Sequence, residues 1–234
     1  MQLIKQLESL SVNNVDLKLS ANLSSTDVAN KHGTLLPASI RCIICGPSNC
    51  GKTNVMMSLI EHPNGLKFRN IYVYSKSLHQ PKYEYLKNII SSITGLGFYE
   101  FANNADVIPP EAAKPDSIFI FDDVACDKQN NIRAYFCMGR HNKIDSFYLC
   151  QSYGRVPKHL IRDNANFLIL FKQDDMNLQH IYNDHVNTDM SLNEFCNICN
   201  ECWRGDKYGF LVIDKDRTLN EGRFRKGFDV FIKI

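Results

Sequence analysis

Gly46-Pro47-Ser48-Asn49-Cys50-Gly51-Lys52-Thr53 is the stretch whose reading decides the fold. It satisfies G-x-x-x-x-G-K-[ST], a loop whose backbone N–H groups cradle nucleotide phosphates. Its flanks supply the context such a loop requires. Ile40-Arg41-Cys42-Ile43-Ile44-Cys45 is short, apolar and β-branched, the composition of a buried strand. Asn54 to Ile60 reads as a helix that ends near His62-Pro63-Asn64-Gly65. Strand, loop and helix then aim the loop amides and the positive helix end at one point, where triphosphate charge is stabilised. The expected nucleotide-binding set is Gly46, Pro47, Ser48, Asn49, Cys50, Gly51, Lys52, Thr53 and Asn54. Within it, Lys52 reaches the β- and γ-phosphates of ATP and the Thr53 hydroxyl ligates Mg²⁺. Alkylation of Cys50 is expected to block nucleotide binding.

Working outward, apolar runs and helical patterns alternate from Ser39 onward, the signature of a mostly parallel sheet. Strands are predicted at Asn70–Tyr74, Ser117–Phe121, Ser146–Cys150 and Asn166–Phe171. Helices are predicted at Lys82–Ile93, Asn131–Met138, 176–184 and 191–203, with a short one from Pro157 through Ile161. The end of the chain, Gly209–Ile213 and Gly227–Ile234, reads as hairpin-like. The fold class is therefore α/β, a three-layer nucleotide-binding domain with a mostly parallel central sheet and a C-terminal β-hairpin. Three segments are expected: an N-terminal extension at 1–36, an ATPase core at 37–213, and a basic hairpin at 214–234 packed on the core. In the extension, Leu3, Leu7 and Leu10 recur at helical spacing and Val15, Leu17 and Leu19 alternate like a strand.

The second element of the site is Ile118-Phe119-Ile120-Phe121-Asp122-Asp123. A buried strand of this kind delivers its terminal acids to the sheet edge where ligands bind. Asp122 is expected to hold Mg²⁺ through a water, and Asp123 to orient or deprotonate the attacking water. Gln151, just past the strand Ser146–Cys150, is placed to sense the γ-phosphate. Arginines matter because phosphoryl transfer spreads negative charge that a guanidinium stabilises. Arg140, Arg155 and Arg162 are the candidates; one acting in trans would make the active form an oligomer.

Several patterns carry less. Asn142-Lys143-Ile144-Asp145 fits the guanine-reading N-K-x-D signature, but it precedes a strand instead of ending one and no D-x-x-G accompanies it. Cys196, Cys199 and Cys202 are spaced by three, with His180 and His185 upstream; on a helix they fan around the axis, so packing is expected ahead of metal binding. Arg204-Gly205-Asp206 reads as a turn. Lys215 through Lys226 is the densest basic region and is either a DNA-phosphate contact or a solvated hairpin tip. Across 234 residues the net charge is only +2, so any nucleic-acid contact must come from local patches. Nine cysteines, an odd number, and an N-terminus without an apolar core point to a non-secreted chain with reduced thiols. No apolar run approaches the length of a membrane span.

With these residues assembled, the chain resembles the FtsK–HerA superfamily of P-loop ATPases, closest to its viral genome-packaging branch. That branch is found in poxviruses, other large DNA viruses, virophages and Maverick/Polinton-like elements. The likeness covers residues 38–213 and rests on Cys45–Thr53, Phe119–Asp123, Arg140-His141-Asn142, and Leu149-Cys150-Gln151-Ser152 followed by Val156–Asn164. It implies a Mg²⁺-dependent ATP hydrolase that drives double-stranded DNA into a preformed capsid. Lys52, Asp122, Asp123 and Gln151 would form its hydrolysis site, with Arg140 or Arg162 completing a neighbour's. It further implies a homo-oligomeric ring, pentameric or hexameric, a capsid or portal-vertex partner, no membrane association, and a place inside the host cell or with the virion. Cellular members usually carry Glu where this chain has Asp123, which leaves the base assignment open. A small P-loop kinase and a nucleotide-switched assembly factor are the competing readings.

Overall fold

Runs of apolar residues too long to leave either face in water become the middle of a sheet. The computed structural model describes residues 31–234, so the patterns around Leu3 and Val15 lie outside the described residues. Its strands are β1 (Arg41–Cys45), β2 (Asn70–Ser75), β3 (Gly97–Phe101), β4 (Ser117–Asp122), β5 (Ile144–Cys150), β6 (Phe167–Leu170), β7 (Leu211–Asp214), β8 (Phe224–Lys226) and β9 (Val230–Ile232). They form one nine-stranded sheet in the order β3-β2-β4-β5-β1-β6-β7-β8-β9. From β3 to β6 all neighbours are parallel; β7, β8 and β9 continue the sheet antiparallel.

The strand period of two sorts side chains into two cores. Ile43, Tyr72, Phe119, Phe121 and Tyr148 face one side, where α3 (Asn130–Met138), α4 (Asp175–Ile181) and α5 (Leu192–Trp203) cover them. Ile44, Val73, Ile120 and Leu149 face the other, under α1 (Lys52–Glu61) and α2 (Pro81–Ser92). Helix, sheet and helix make the three layers that the sequence predicts. On the first face an aromatic ladder runs across strands, with Tyr72 stacked on Phe119 at 5.4 Å and Phe119 on Phe121 at 4.4 Å. Phe119 is fully buried, so Phe119→Ala would cost about 3–5 kcal/mol.

Two expectations change. Pro157 does not open a helix: its ψ of 128 is extended, His159 is extended, and Leu160 turns left-handed at φ 72. Amides of Arg162 and Asp163 reach back five residues, to the carbonyls of Pro157 and Lys158, closing a wide turn. The basic region 215–226 is not a solvated hairpin tip, and its arginines are engaged inside the protein. β8 occupies part of it, and Arg225 is fully buried with Nη2 2.5 Å from Asp214 Oδ2. Arg217 joins the same carboxylate at 3.2 Å, and Arg223 reaches Asp189 at 2.5 Å. Those arginines hold β7, β8 and the preceding loops together.

Asp145, the last residue of the N-K-x-D match, is a clasp. It is buried and accepts from Lys31 Nζ at 2.7 Å, His32 Nε2 at 3.0 Å and the Ile40 amide at 2.8 Å. His32 Nδ1 accepts the Lys67 amide at 3.0 Å, which leaves the proton on Nε2 for Asp145. Residues 31–40 are thereby tied across the start of β5. No described helix is long and apolar enough to cross a membrane.

Candidate nucleotide site

The loop between β1 and α1 takes its shape from two glycines. Gly51 sits at φ 111, a left-handed conformation that costs an L side chain. At Gly46 an added Cβ would stand 2.6 Å from Phe171 Cβ and 2.7 Å from Cys50 Sγ. Between them Asn49 also adopts φ 61. Successive turns of this kind expose backbone N–H groups to one concavity. Lys52 folds back over the loop, donating to the carbonyls of Gly46 at 2.7 Å and Pro47 at 2.9 Å.

That concavity is a pocket of about 180 Å³ at the carboxyl ends of β1, β4 and β5. Ser48, Asn49, Gly51, Lys52 and Thr53 line it from the loop; Asp122, Asp123 and Gln151 line it from the strand ends. Asp122, paired in register with Leu149 and Ser75, receives the hydroxyl of Tyr83. Burial raises its pKa above the ordinary carboxylate value, opposed by the Tyr83 hydrogen bond and by Lys52 and Lys82. Asp123 is exposed, held at φ 56, and accepts Gln151 Nε2 at 3.4 Å. A non-glycine residue in left-handed conformation is strain that a functional site often stores.

Thr53 and Asp122 supply oxygen donors, the ligand type that Mg²⁺ selects. A carboxylate kept partly from water beside an exposed second acid benefits from a divalent cation, so the residues present fit the ion. Ser77, Gln80 and Lys82 also line the pocket, from the turn into α2. Sequence reading missed them; the one available signal was a lysine beside Pro81 at a helix start.

A sequence profile described as "Poxvirus A32 protein" matches residues 28–230. The chain belongs to that family. The genome packaging NTPase B204 of Sulfolobus turreted icosahedral virus 2, solved with AMPPCP, has a TM-score of 0.55 at 13% identity, covering 84% of this chain and 98% of that one. Its complex with sulfate gives 0.55 at 16%, covering 84% and 97%. The B204 of Sulfolobus turreted icosahedral virus, described as a DNA-packaging ATPase, gives 0.51 at 15%, covering 76% and 93%. At these identities the likeness establishes the fold. Among curated proteins no sequence matches. The resemblance to the viral packaging branch therefore holds at the level of family and fold.

Not every expected residue of this A32-family chain comes to the pocket. Asn54 is exposed and lines a neighbouring surface with Pro81, Lys82 and Tyr85. Cys50 is buried and its thiol pKa is pushed up by that burial, so alkylation there is slow in the folded protein. Arg162 is buried, 3.0 Å from Asp184 and stacked 5.0 Å over Tyr153, although its Nε and Nη1 find no hydrogen-bond partner among the described residues. Arg140 precedes β5, at the opposite end of the strands from the pocket. Arg155 is exposed, four residues past Gln151, with no ion pair among the described residues. Cys199 and Cys202 are buried core residues of α5 and Cys196 is half-buried. Among the described residues no group of His, Cys, Asp or Glu is placed to hold a metal ion by itself.

Proposed function

We propose that the chain is a Mg²⁺-dependent ATPase that moves double-stranded DNA, packaging a viral genome as a homo-oligomeric ring docked on a capsid or portal vertex inside the infected cell. The ATPase core is drawn at 37–213 with 214–234 as a hairpin on its sheet. The observation that carries the reading is the convergence of Lys52, Thr53, Asp122, Asp123 and Gln151 on one pocket at the carboxyl edge of a parallel sheet. A kinase or a passive switch explains the loop; it does not explain a second acid and an amide aimed at the same point.

In this reading Lys52 exchanges the Gly46 and Pro47 carbonyls for β- and γ-phosphate oxygens. Thr53 and Asp122 hold Mg²⁺, which supplies positive charge against the phosphates. Asp123 takes the proton of the attacking water, and Gln151, whose Nε2 donates to Asp123, has its remaining amide groups to position that water or read the γ-phosphate. A shorter acid than Glu is compensated by the backbone at Asp123, whose left-handed turn redirects the carboxylate. An arginine from a neighbouring subunit neutralises the γ-oxygens. Arg155 is the first candidate on this edge, and Arg140 remains to be tested beside it.

Steady-state ATP hydrolysis with and without duplex DNA tests the proposal. Turnover that rises with duplex supports it. Phosphate delivered to a nucleotide acceptor, or tight ATP binding without turnover, would replace it with the kinase or the switch.

A further inference from the structure

Near the amino-terminal edge of the sheet, two sets of cations are paired differently. Arg217, Arg223, Arg225 and Lys31 are each within 3.2 Å of a carboxylate. Arg41, Arg140, Lys143 and Lys215 make no ion pair among the described residues, and all of them sit at the amino-terminal edge of the sheet. Arg41 opens β1, whose register partner is Ser146 near the start of β5. Arg140 and Lys143 occupy the turn just before β5. Lys215 follows β7, whose last residue Asp214 is paired with Phe167 at the start of β6.

The backbone holds these positions firmly. The Arg41 amide donates to Asn166 Oδ1 at 2.8 Å and its Nε to the Asn164 carbonyl at 2.6 Å. The Lys215 amide donates to the Asn166 carbonyl at 2.8 Å. Nearby acids are largely engaged: Asp145 in its clasp, and Asp216 by Asn166 Nδ2 at 2.8 Å. Asp163 is exposed and faces His159 at 3.7 Å. Arg41 and Lys215 are half-buried, and burial pulls both below their ordinary pKa values. Asp216 works against that pull on both, with Asp145 at Arg41 and Asp163 at Lys215, whereas Arg140 adds to it at Arg41, and Arg223 and Arg41 add to it at Lys215. Four cations beside the carboxylates of Asp216 and Asp163 leave a local excess of positive charge that attracts an external anion.

We propose that this edge is a duplex-DNA contact, with Arg41, Arg140, Lys143 and Lys215 taking successive backbone phosphates. The proposal rests on the motor reading above and names where its DNA is held. Strands β5, β1, β6 and β7 are successive neighbours at about 4.8 Å, so the cations span roughly 14 Å. Duplex DNA carries a charge every ~1.7 Å of axis counting both strands, so about eight phosphate charges lie along that span. The patch reads backbone and no base edges, which suits a protein that must pass over every sequence.

The test uses the full chain and a fluorescein-labelled duplex of about 40 base pairs, titrated between 50 and 200 mM KCl. Lys143→Asn, which keeps the left-handed turn, and Lys215→Gln should each weaken binding several-fold whatever the sequence. Each should also lower the salt slope by about 0.9 while basal hydrolysis is unchanged. Lys128→Gln, on the far edge beyond Asp123, should change neither. Equal affinity and slope in both patch variants, or an equal loss in the Lys128 control, would overturn the assignment while leaving the motor reading intact. A wild-type chain that neither binds duplex nor is stimulated by it would sink both.

Discussion

Asp122 and Asp123 are adjacent in sequence and opposed in setting. One ends a strand under Tyr83; the other projects into solvent on a left-handed residue against Gln151. Their separate roles follow from that contrast. Asp123→Asn should keep ATP affinity while turnover falls by about 10²–10⁴-fold, read by single-turnover hydrolysis beside a binding titration. Full turnover in that variant would remove Asp123 as the base. Lys52→Ala should lower turnover at least about 100-fold. Thiol labelling gives a third expectation: Cys126 is exposed and should react first, while Cys50 waits for unfolding or for loop opening. At this scale the acids and Gln151 were legible because each follows an apolar run, and Lys52 because it closes the glycine-loop pattern. Arg162 was not, because its partners Asp184 and Tyr153 come from elements whose approach no local pattern announces.

Elements show the same division. Central strands announced themselves as unbroken apolar runs. β3 and β8 did not: they lie toward the sheet margins and mix Glu100 or Arg225 with aromatics. The turn at 158–162 carries a helix-like start in Pro157 and then departs from it through Leu160, for which the structure offers no local cause beyond the packing of α3 against it. The phosphate loop makes a sharper prediction. Gly46→Ala forces Phe171 or Cys50 aside and should weaken ATP binding and lower the melting temperature together. The Asp145 clasp predicts a pH dependence. Burial alone would raise the Asp145 pKa, but His32 and Lys31 bring it below the ordinary value. A lowered folded-state pKa adds stability that is present above the unfolded value and is lost as pH falls through the folded one. Asp145→Asn should therefore cost about 2 kcal/mol at pH 7, and the gap to wild type should narrow in urea melts below about pH 4.

Over the whole molecule, the sheet separates two jobs. Nucleotide groups gather at the carboxyl ends of the strands, and Arg41, Arg140, Lys143 and Lys215 lie at the amino ends, about 16 Å away along a five-residue strand such as β1. Such a layout suits a machine that hydrolyses at one edge and grips at the other, with the sheet as the rigid link. Assembly is testable by mixing: Arg155→Ala subunits combined with Lys52→Ala subunits should recover hydrolysis that neither has alone, if Arg155 serves a neighbour's pocket. The same mixture made with Arg140→Ala decides between the two arginines. The central claim is that hydrolysis moves duplex DNA, and displacement of a third strand from a triplex on linear duplex reads movement directly. Wild-type protein with ATP and Mg²⁺ should strip the third strand, while Asp123→Asn protein should bind the same DNA and leave it in place. Stripping by the hydrolysis-dead variant, or hydrolysis by wild type with no stripping, would contradict the account.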